Sequence, residues 1–105
     1  MIKVTVLYQN EEGKRFDMAY YCEKHIPMVK EKLGAACRGV EIDQGLGGAQ
    51  PGSKPAFVAV ANLHFDSVDD FQRAFAPHAE SILGDIPNYT DIQPVLQVNE
   101  VKMYP

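Results

Sequence analysis

Apolar residues alternate with other residues at the start of the chain. Every second residue is apolar, in the order Ile2, Val4, Val6 and Tyr8. A period of two is the pattern of a half-buried β-strand. The polar run NEEGKR at residues 10–15 then predicts a turn.

From Asp17 to Leu33 the apolar residues recur at helical spacing. Asp17 is placed to cap the first turn, and Gly34 is placed to end the helix. The pattern predicts a helix that packs one face on a core. At about 100° per residue, that face collects, with only Lys32 intruding, Met18, Tyr21, Cys22, His25, Ile26, Met28, Val29 and Leu33.

Further elements follow along the chain. Residues 37–46 and 55–65 alternate again as strands do, and the Gly- and Pro-rich segment between them predicts a hairpin with a long loop. Apolar residues then recur at helical spacing from Ser67, the expected N-cap, to Ile86, and Pro77 is expected to kink or divide this second helix. Residues 91–101 supply a last strand, whose Pro94 suits an edge position.

The predicted order is strand, helix, strand, strand, helix, strand. This βαββαβ string is typical of the ferredoxin-like α+β fold, in which a four-stranded antiparallel sheet carries both helices on one face. At 105 residues the chain has room for one hydrophobic core, so we expect a single domain over residues 1–105.

The sheet face turned away from the helices is expected to be largely uncharged. A contiguous apolar patch on a water-soluble protein marks an interface, and a second copy related by a twofold axis is the economical partner. We therefore predict a homodimer in which two sheets pack face to face. The residues expected on that face include Leu7, Val58, Val60, Asn62, His64 and Val95.

Composition narrows the possible partners. The chain has 14 Asp and Glu against 10 Lys and Arg, a formal net charge of −4, and its basic residues are scattered, so nucleic acid is not an expected partner. The chain has no run of about 18 apolar residues and no signal-peptide core, so we expect no membrane contact and a cytoplasmic location. Cys22 and Cys37 are expected to be reduced and mostly buried thiols.

His25 is the candidate for chemistry. It lies on the apolar arc of the first helix, two residues before Pro27, whose ring removes a helical hydrogen bond and disfavours helical torsions at Ile26. A neutral imidazole beside a loosened backbone can exchange protons near pH 7. Two other interpretations stay open: a core histidine bonded to a carbonyl or hydroxyl group, or a Pro27 that simply begins a second helical segment.

A binding site at His25 would place its ring beside a cavity between the first helix and the sheet. No two of the three histidines have the i, i+4 spacing of a helical zinc site, so no metal is expected. No cofactor is expected either. The residues expected to contact a small ligand are Tyr21, Tyr8, Met28, His78 and Tyr89.

Two segments of the chain resemble one known family. FDMAYYCEKHIPMV at residues 16–29 resembles the Tyr-Tyr/Trp-x-x-x-His-x-Pro helix of the EthD family, named for its link to ethyl tert-butyl ether degradation, and IPNYTDIQPVLQVNEVK resembles the family's C-terminal portion. His25 matches the motif histidine, and Pro27 matches its proline. The resemblance implies a dimeric α+β barrel with a cavity in each protomer, related to muconolactone isomerases and small antibiotic-biosynthesis monooxygenases.

Two classes of function follow from these expectations. The first is an enzyme that acts on a small apolar oxygenated compound by cofactor-free dehydration, isomerisation or oxygenation, with His25 as acid or base and a tyrosine as hydrogen-bond donor. The second is a non-catalytic binding or carrier protein of an oxygenase system, because the family resembled includes auxiliary proteins beside dehydratase-like enzymes.

Overall fold

One antiparallel sheet organises the molecule. The computed structural model describes residues 1–105, and its four strands lie in the order β2-β3-β1-β4. This arrangement confirms the predicted ferredoxin-like fold and the edge position of the last strand. The strands are β1, Ile2–Gln9; β2, Gly39–Gln44; β3, Phe57–Phe65; and β4, Val95–Glu100.

The first helix contains a wide turn at its centre. It consists of α1, Met18–Tyr20, a π-helical turn, Tyr21–His25, and α2, Ile26–Leu33. The N–H of Ile26 donates to the carbonyl of Tyr21, an i→i+5 bond that holds one residue more than an α-helical turn. Pro27 stands in the first turn of α2, where its missing N–H costs little.

The ends of the first helix are capped as predicted. An Asp17 carboxylate oxygen accepts a hydrogen bond from the N–H of Tyr20 at 3.0 Å, which satisfies a donor that the helix itself cannot pair. Gly34 ends the helix with φ at 63°, a backbone conformation that favours glycine.

The wide turn changes which residues face the core. Tyr21, His25, Val29 and Leu33 are all buried at a spacing of four. One α-helical turn has about 3.6 residues, so side chains spaced by four would move progressively around a regular α-helix. The wider π turn reduces this rotation and keeps the four side chains on one face. The prediction that Cys22 is buried was wrong, because this change of phase leaves it exposed.

The second helix is divided at Pro77, as predicted. It consists of α3, Val68–Phe75, a 3₁₀ turn, Ala76–His78, and α4, Ala79–Gly84. Ser67 caps α3, and its hydroxyl accepts a hydrogen bond from the N–H of Asp70 at 3.1 Å. A second 3₁₀ turn, Ile86–Asn88, leads toward β4.

The core fills the space between the helices and the sheet. Burial of apolar side chains here is the main favourable term in folding. None of the helices is both long and apolar enough to cross a membrane. The sheet contributes to the core Ile2, Val4 and Tyr8 from β1 and Ala59, Ala61, Leu63 and Phe65 from β3.

The opposite face of the sheet has an apolar end and a polar end. Leu7 on β1 pairs with Val60 on β3 and with Val95 on β4, which forms an apolar row across three strands. Next to this row, the hydroxyl of Thr5 donates to the Asn62 side chain at 2.9 Å. The face therefore combines apolar and polar residues, as the sequence predicted, with its apolar patch concentrated around Leu7.

Candidate functional site

A small cavity lies between the helices and the sheet. Its volume is about 60 Å³, and 17 residues line it. Only Tyr8, Tyr21 and His25 among them have polar side chains, and none is a lysine, arginine, aspartate or glutamate. Leu83 and Leu96 line the cavity and are each 45% exposed, so the cavity reaches the surface between α4 and β4.

The His25 ring is held by a carboxylate from the other end of the chain. Its Nδ1 lies 2.9 Å from Oδ2 of Asp85, with the two side chains 5% and 19% exposed. The other carboxylate oxygen, Oδ1, accepts the Tyr20 hydroxyl at 2.8 Å and the Asn88 amide at 2.8 Å. Three donors therefore surround one Asp85 carboxylate and fix its position.

These contacts determine the charge state of the pair. Burial lowers the pKa of His25, and the hydrogen bond to Asp85 offsets only part of that effect. Burial acts to raise the pKa of Asp85, but hydrogen bonds from Asn88, His25 and Tyr20 outweigh it and leave that pKa below its usual value. A neutral imidazole therefore donates Nδ1–H to an ionised carboxylate, and Nε2 keeps its lone pair.

Two tyrosines pack against the imidazole, and a third is hydrogen-bonded to one of them. The Tyr21 ring stacks on His25 with centroids 5.6 Å apart, and the Tyr89 ring lies 4.6 Å from it at a tilt. The hydroxyl groups of Tyr8 and Tyr89 are 2.7 Å apart and form a buried hydrogen bond. Burial raises the pKa of Tyr8, Tyr21 and Tyr89, so all three hydroxyls stay protonated at neutral pH.

The segment that carries Tyr89 and Asp85 is tied to the start of the first helix. Phe16 and Thr90 form an isolated antiparallel bridge, and the N–H of Asp17 donates to the carbonyl of Tyr89 at 2.8 Å. Within the 3₁₀ turn, the N–H of Asn88 donates to the carbonyl of Asp85 at 3.0 Å. Backbone hydrogen bonds therefore hold both side chains against His25.

The structure brings together some of the residues expected at the site. His25, Tyr8 and Tyr21 line the cavity, and Tyr89 contacts all three without lining it. Met28 and His78 do not line it. Met28 lies in a shallow surface depression instead, because the wide turn shifts it from the core stripe, and the 3₁₀ turn at Pro77 breaks the helical phase that would have directed His78 toward the core.

Sequence reasoning missed Asp85 and Tyr20. Asp85 lies 60 positions from His25 along the chain, and no local pattern joins the two. The only signal for Asp85 in the sequence was a single carboxylate just before Ile86 and Pro87. Such a carboxylate more often lies in solvent at the end of a helix. The structure contains no group of three or more His, Cys, Asp or Glu side chains arranged as metal ligands.

Comparison with protein families places the chain. The EthD domain model matches residues 11–93, which includes Tyr20, Tyr21, His25 and Asp85. The chain belongs to the EthD family. The resemblance in the helix around His25 is thereby confirmed.

Similar proteins span nearly the whole EthD chain. An EthD-like protein from Ralstonia eutropha JMP134, known from its crystal structure, is 51% identical in sequence to this chain. The match covers 99% of this chain and 94% of the Ralstonia chain, and the two structures superpose with a TM-score of 0.94. An 11.0 kDa protein from the thcB-thcC intergenic region of Rhodococcus erythropolis is 28% identical over 94 residues, or 85% of this chain and 84% of that protein.

A more distant structure shares only the fold. It is a dimeric ferredoxin-like protein from Thermobifida fusca YX that is 15% identical in sequence to this chain. The match covers 95% of this chain and 90% of the Thermobifida chain, with a TM-score of 0.57.

Proposed function

We propose that this EthD protein binds a small uncharged oxygenated compound in the cavity beside His25 and that His25 acts on it as an acid or base. The observation that carries the proposal is the Asp85–His25 hydrogen bond of 2.9 Å at the wall of an otherwise apolar cavity. Two further donors, Tyr20 and Asn88, fix the carboxylate that accepts from His25, and the pair thereby holds the imidazole in one tautomer at the cavity wall.

Asp85 is assigned a positioning role. Its carboxylate accepts Nδ1–H and so leaves Nε2 as the basic nitrogen that a ligand in the cavity can reach. When Nε2 takes a proton, the adjacent carboxylate stabilises the imidazolium. This pair suits a proton transfer within a bound compound, as in a cofactor-free dehydration, isomerisation or oxygenation.

The lining of the cavity restricts the ligand. A charged ligand would meet no side chain of opposite charge there, and burying an unpaired charge is costly. Cavities of about 150 Å³ accommodate benzene, so a cavity of about 60 Å³ holds a few heavy atoms, and a larger ligand must extend past Leu83 and Leu96. The compound is therefore small, neutral and mostly apolar.

A second candidate function is a binding or carrier protein without turnover. The small number of polar groups in the cavity favours this second function. Three polar side chains among 17 lining residues are sufficient to orient a bound ligand without converting it. The two functions differ in whether a bound compound is converted.

The remaining parts of the proposal concern the whole chain. The apolar row around Leu7 supports a homodimer through the open face of the sheet, and the distant Thermobifida fusca neighbour is described as dimeric. One sheet joins strands from both ends of the chain, which supports a single EthD-like domain over residues 1–105. The unpaired cysteines suit the cytoplasmic location expected from the sequence.

His25→Gln tests the acid–base role because glutamine keeps hydrogen bonding but cannot titrate. Small neutral ketones, alcohols and ethers would be screened by ligand-observed NMR, which reports binding and conversion in one spectrum. We expect the variant to fold and bind while conversion falls by about 10²- to 10⁴-fold. Asp85→Asn should also lower conversion, because an amide can stabilise the wrong tautomer, whereas His78→Gln should match the wild type.

The outcomes separate the two functions. If the wild type and all variants bind a compound and none converts it, the protein is a binding or carrier protein. Binding that survives when Ala61→Leu fills the cavity would place the ligand elsewhere and contradict the proposal.

A further inference from the structure

Tyr8 and Tyr89 form a hydrogen bond with each other, but their positions relative to the cavity differ. The two hydroxyl oxygens are 2.7 Å apart, and the residues are 2% and 0% exposed. Tyr8 lines the cavity, but Tyr89 does not. Only one of the two hydroxyl groups can therefore reach a bound ligand.

The burial of Tyr89 determines the direction of this hydrogen bond. A hydroxyl group has one hydrogen to donate and can accept two bonds, and Tyr8 is the only side chain that the Tyr89 hydroxyl contacts within hydrogen-bond distance. If Tyr8 donated, the Tyr89 hydrogen would be buried without an acceptor, at a cost of about 1–3 kcal/mol. Tyr89 therefore donates to Tyr8, and the Tyr8 hydrogen is free to point into the cavity.

The cavity thus presents two hydroxyl donors and one base to a ligand. The donors are Tyr8, which accepts from Tyr89, and Tyr21, and the base is Nε2 of His25, whose Nδ1 is held by Asp85. We propose that the natural ligand is a neutral carbonyl compound with a hydrogen on the adjacent carbon, and that the site converts it to its enolate. This inference rests on the proposed function and names the substrate class for the same site.

The reaction requires no co-reactant. His25 Nε2 takes the proton from the carbon next to the carbonyl group, the C–H electron pair forms the new C=C bond, and the carbonyl π electrons move to oxygen. The Tyr8 hydroxyl donates a hydrogen bond to that oxygen as its negative charge develops. If the enolate is conjugated with a second double bond, return of the proton from Nε2 to the far carbon gives an isomer. If the Nε2 proton is first replaced by one from solvent, its return to the original carbon gives hydrogen exchange.

The tyrosine pair suits the stabilisation of an enolate. Burial keeps the Tyr8 hydroxyl protonated, so it donates rather than adds a second negative charge. Donation from Tyr89 polarises the Tyr8 O–H bond and strengthens the bond that Tyr8 makes in turn. A donor held in a dry site contributes more to a developing oxyanion than the same donor in water.

Cyclopentanone and methylenecyclopentane form a matched pair of probes, because a CH₂ group replaces the carbonyl oxygen at nearly constant shape. Binding would be followed by NMR titration, and exchange of the hydrogens next to the carbonyl group would be followed in D₂O. We expect Tyr8→Phe to weaken cyclopentanone binding by about 3- to 10-fold and to leave methylenecyclopentane binding unchanged. Hydrogen exchange should fall by about 10²- to 10³-fold.

Tyr89→Phe tests the direction of the hydrogen bond. Tyr8 keeps its free hydrogen in this variant, so cyclopentanone binding should weaken by no more than about twofold. If Tyr8 instead donates to Tyr89 in the wild type, Tyr89→Phe would release that hydrogen and strengthen binding, which would overturn the inference. Tyr104→Phe, at a tyrosine that is 66% exposed, is the control and should behave as the wild type.

One measurement needs no variant and covers the case in which Tyr8→Phe does not fold. The infrared carbonyl stretch of bound ¹³C-labelled cyclopentanone should shift to lower frequency than in cyclohexane solution, and an unshifted band would overturn the inference. If both probes bind and exchange depends on His25 but not on Tyr8, the role inferred for Tyr8 fails while the proposed function stands. If neither probe binds, the inference fails, and the proposed function fails as well if no ketone, alcohol or ether in the screen binds.

Discussion

His25 is the residue on which the proposed chemistry depends. The imidazole is 5% exposed and contacts a carboxylate at 2.9 Å, yet burial keeps its pKa below the ordinary value. The pair is therefore neutral histidine with ionised aspartate in the resting protein. Proton uptake by His25 produces an ion pair that Asp85 is already positioned to stabilise.

The lowered pKa of His25 predicts a dependence of stability on pH. Below the ordinary histidine pKa of about 6.5, the unfolded chain binds a proton at this position more readily than the native protein does. The free energy of unfolding should therefore fall as the pH is lowered from 7 to 5. In this range the Asp85 carboxylate stays ionised, since its pKa is also lowered.

Urea unfolding at pH 7, 6 and 5 would measure this effect. His25→Gln should lose less stability over the interval than the wild type, and the control His78→Gln should lose as much as the wild type. Parallel curves for the wild type and His25→Gln would contradict the prediction.

At the scale of the elements, the π turn is the feature that builds the site. It places Tyr21 and His25 on the same buried stripe as Val29 and Leu33. Pro27 follows directly and begins a new α-helical segment. The proline that looked out of place in the sequence thus stands where a regular helix resumes after a wide turn, which agrees with the interpretation of Pro27 as a helix start.

The end of the first helix supplies an element-scale prediction. Gly34 has φ at 63° and ψ at −149°, a region that side-chain-bearing residues rarely adopt, although nothing lies within 4 Å of an added Cβ atom. Gly34→Ala should therefore lower the free energy of unfolding through backbone strain alone, by about 1–3 kcal/mol. Urea unfolding at pH 7 would measure the change.

Gly84 is the matched control for Gly34. An added Cβ there also meets nothing within 4 Å, but its φ is not positive. Gly84→Ala should leave stability unchanged or raise it by up to about 1 kcal/mol. Equal destabilisation by both changes would show that the backbone at Gly34 is not strained by a side chain.

At the scale of the whole molecule, β4 exposes apolar side chains on both of its faces. Val95 lies beside Leu7 on the open face and is 47% exposed, whereas Val98 pairs with Val4 on the helix side and is 45% exposed. If two copies pack through their open faces, only Val95 becomes buried in the dimer. Val95 and Val98 therefore form a matched pair, because they share residue type, strand and nearly the same exposure and differ in the face of the sheet on which they lie.

Val95→Asp should shift a homodimer toward monomer, because a carboxylate would be buried against an apolar row without a partner. Val98→Asp should leave the dimer intact. Sedimentation equilibrium at micromolar concentration would measure both, together with the wild type. Monomeric wild-type protein, or dissociation by Val98→Asp alone, would contradict an interface on the open face.

The sequence by itself determined the order of the elements and the faces of the strands. Alternation along β1 and β3 predicted their buried residues, and side-chain oxygens at Asp17 and Ser67 marked the starts of helices that the structure confirms. These features are readable because a strand and an α-helix each repeat with a fixed period, so a local pattern states which side is buried. The π turn breaks that period, and the burial of Cys22 was predicted wrongly for this reason.

Only the tertiary structure decided which groups meet at the site. Asp85 reaches His25 across 60 positions, and Tyr89 reaches Tyr8 across 81. Those contacts depend on how the 3₁₀ turn at Ile86–Asn88 packs against the first helix, which follows from the bridge between Phe16 and Thr90. A periodic pattern gives the direction of a side chain within its own element but not the partner that packing brings to it, so the histidine was found from the sequence and its carboxylate was not.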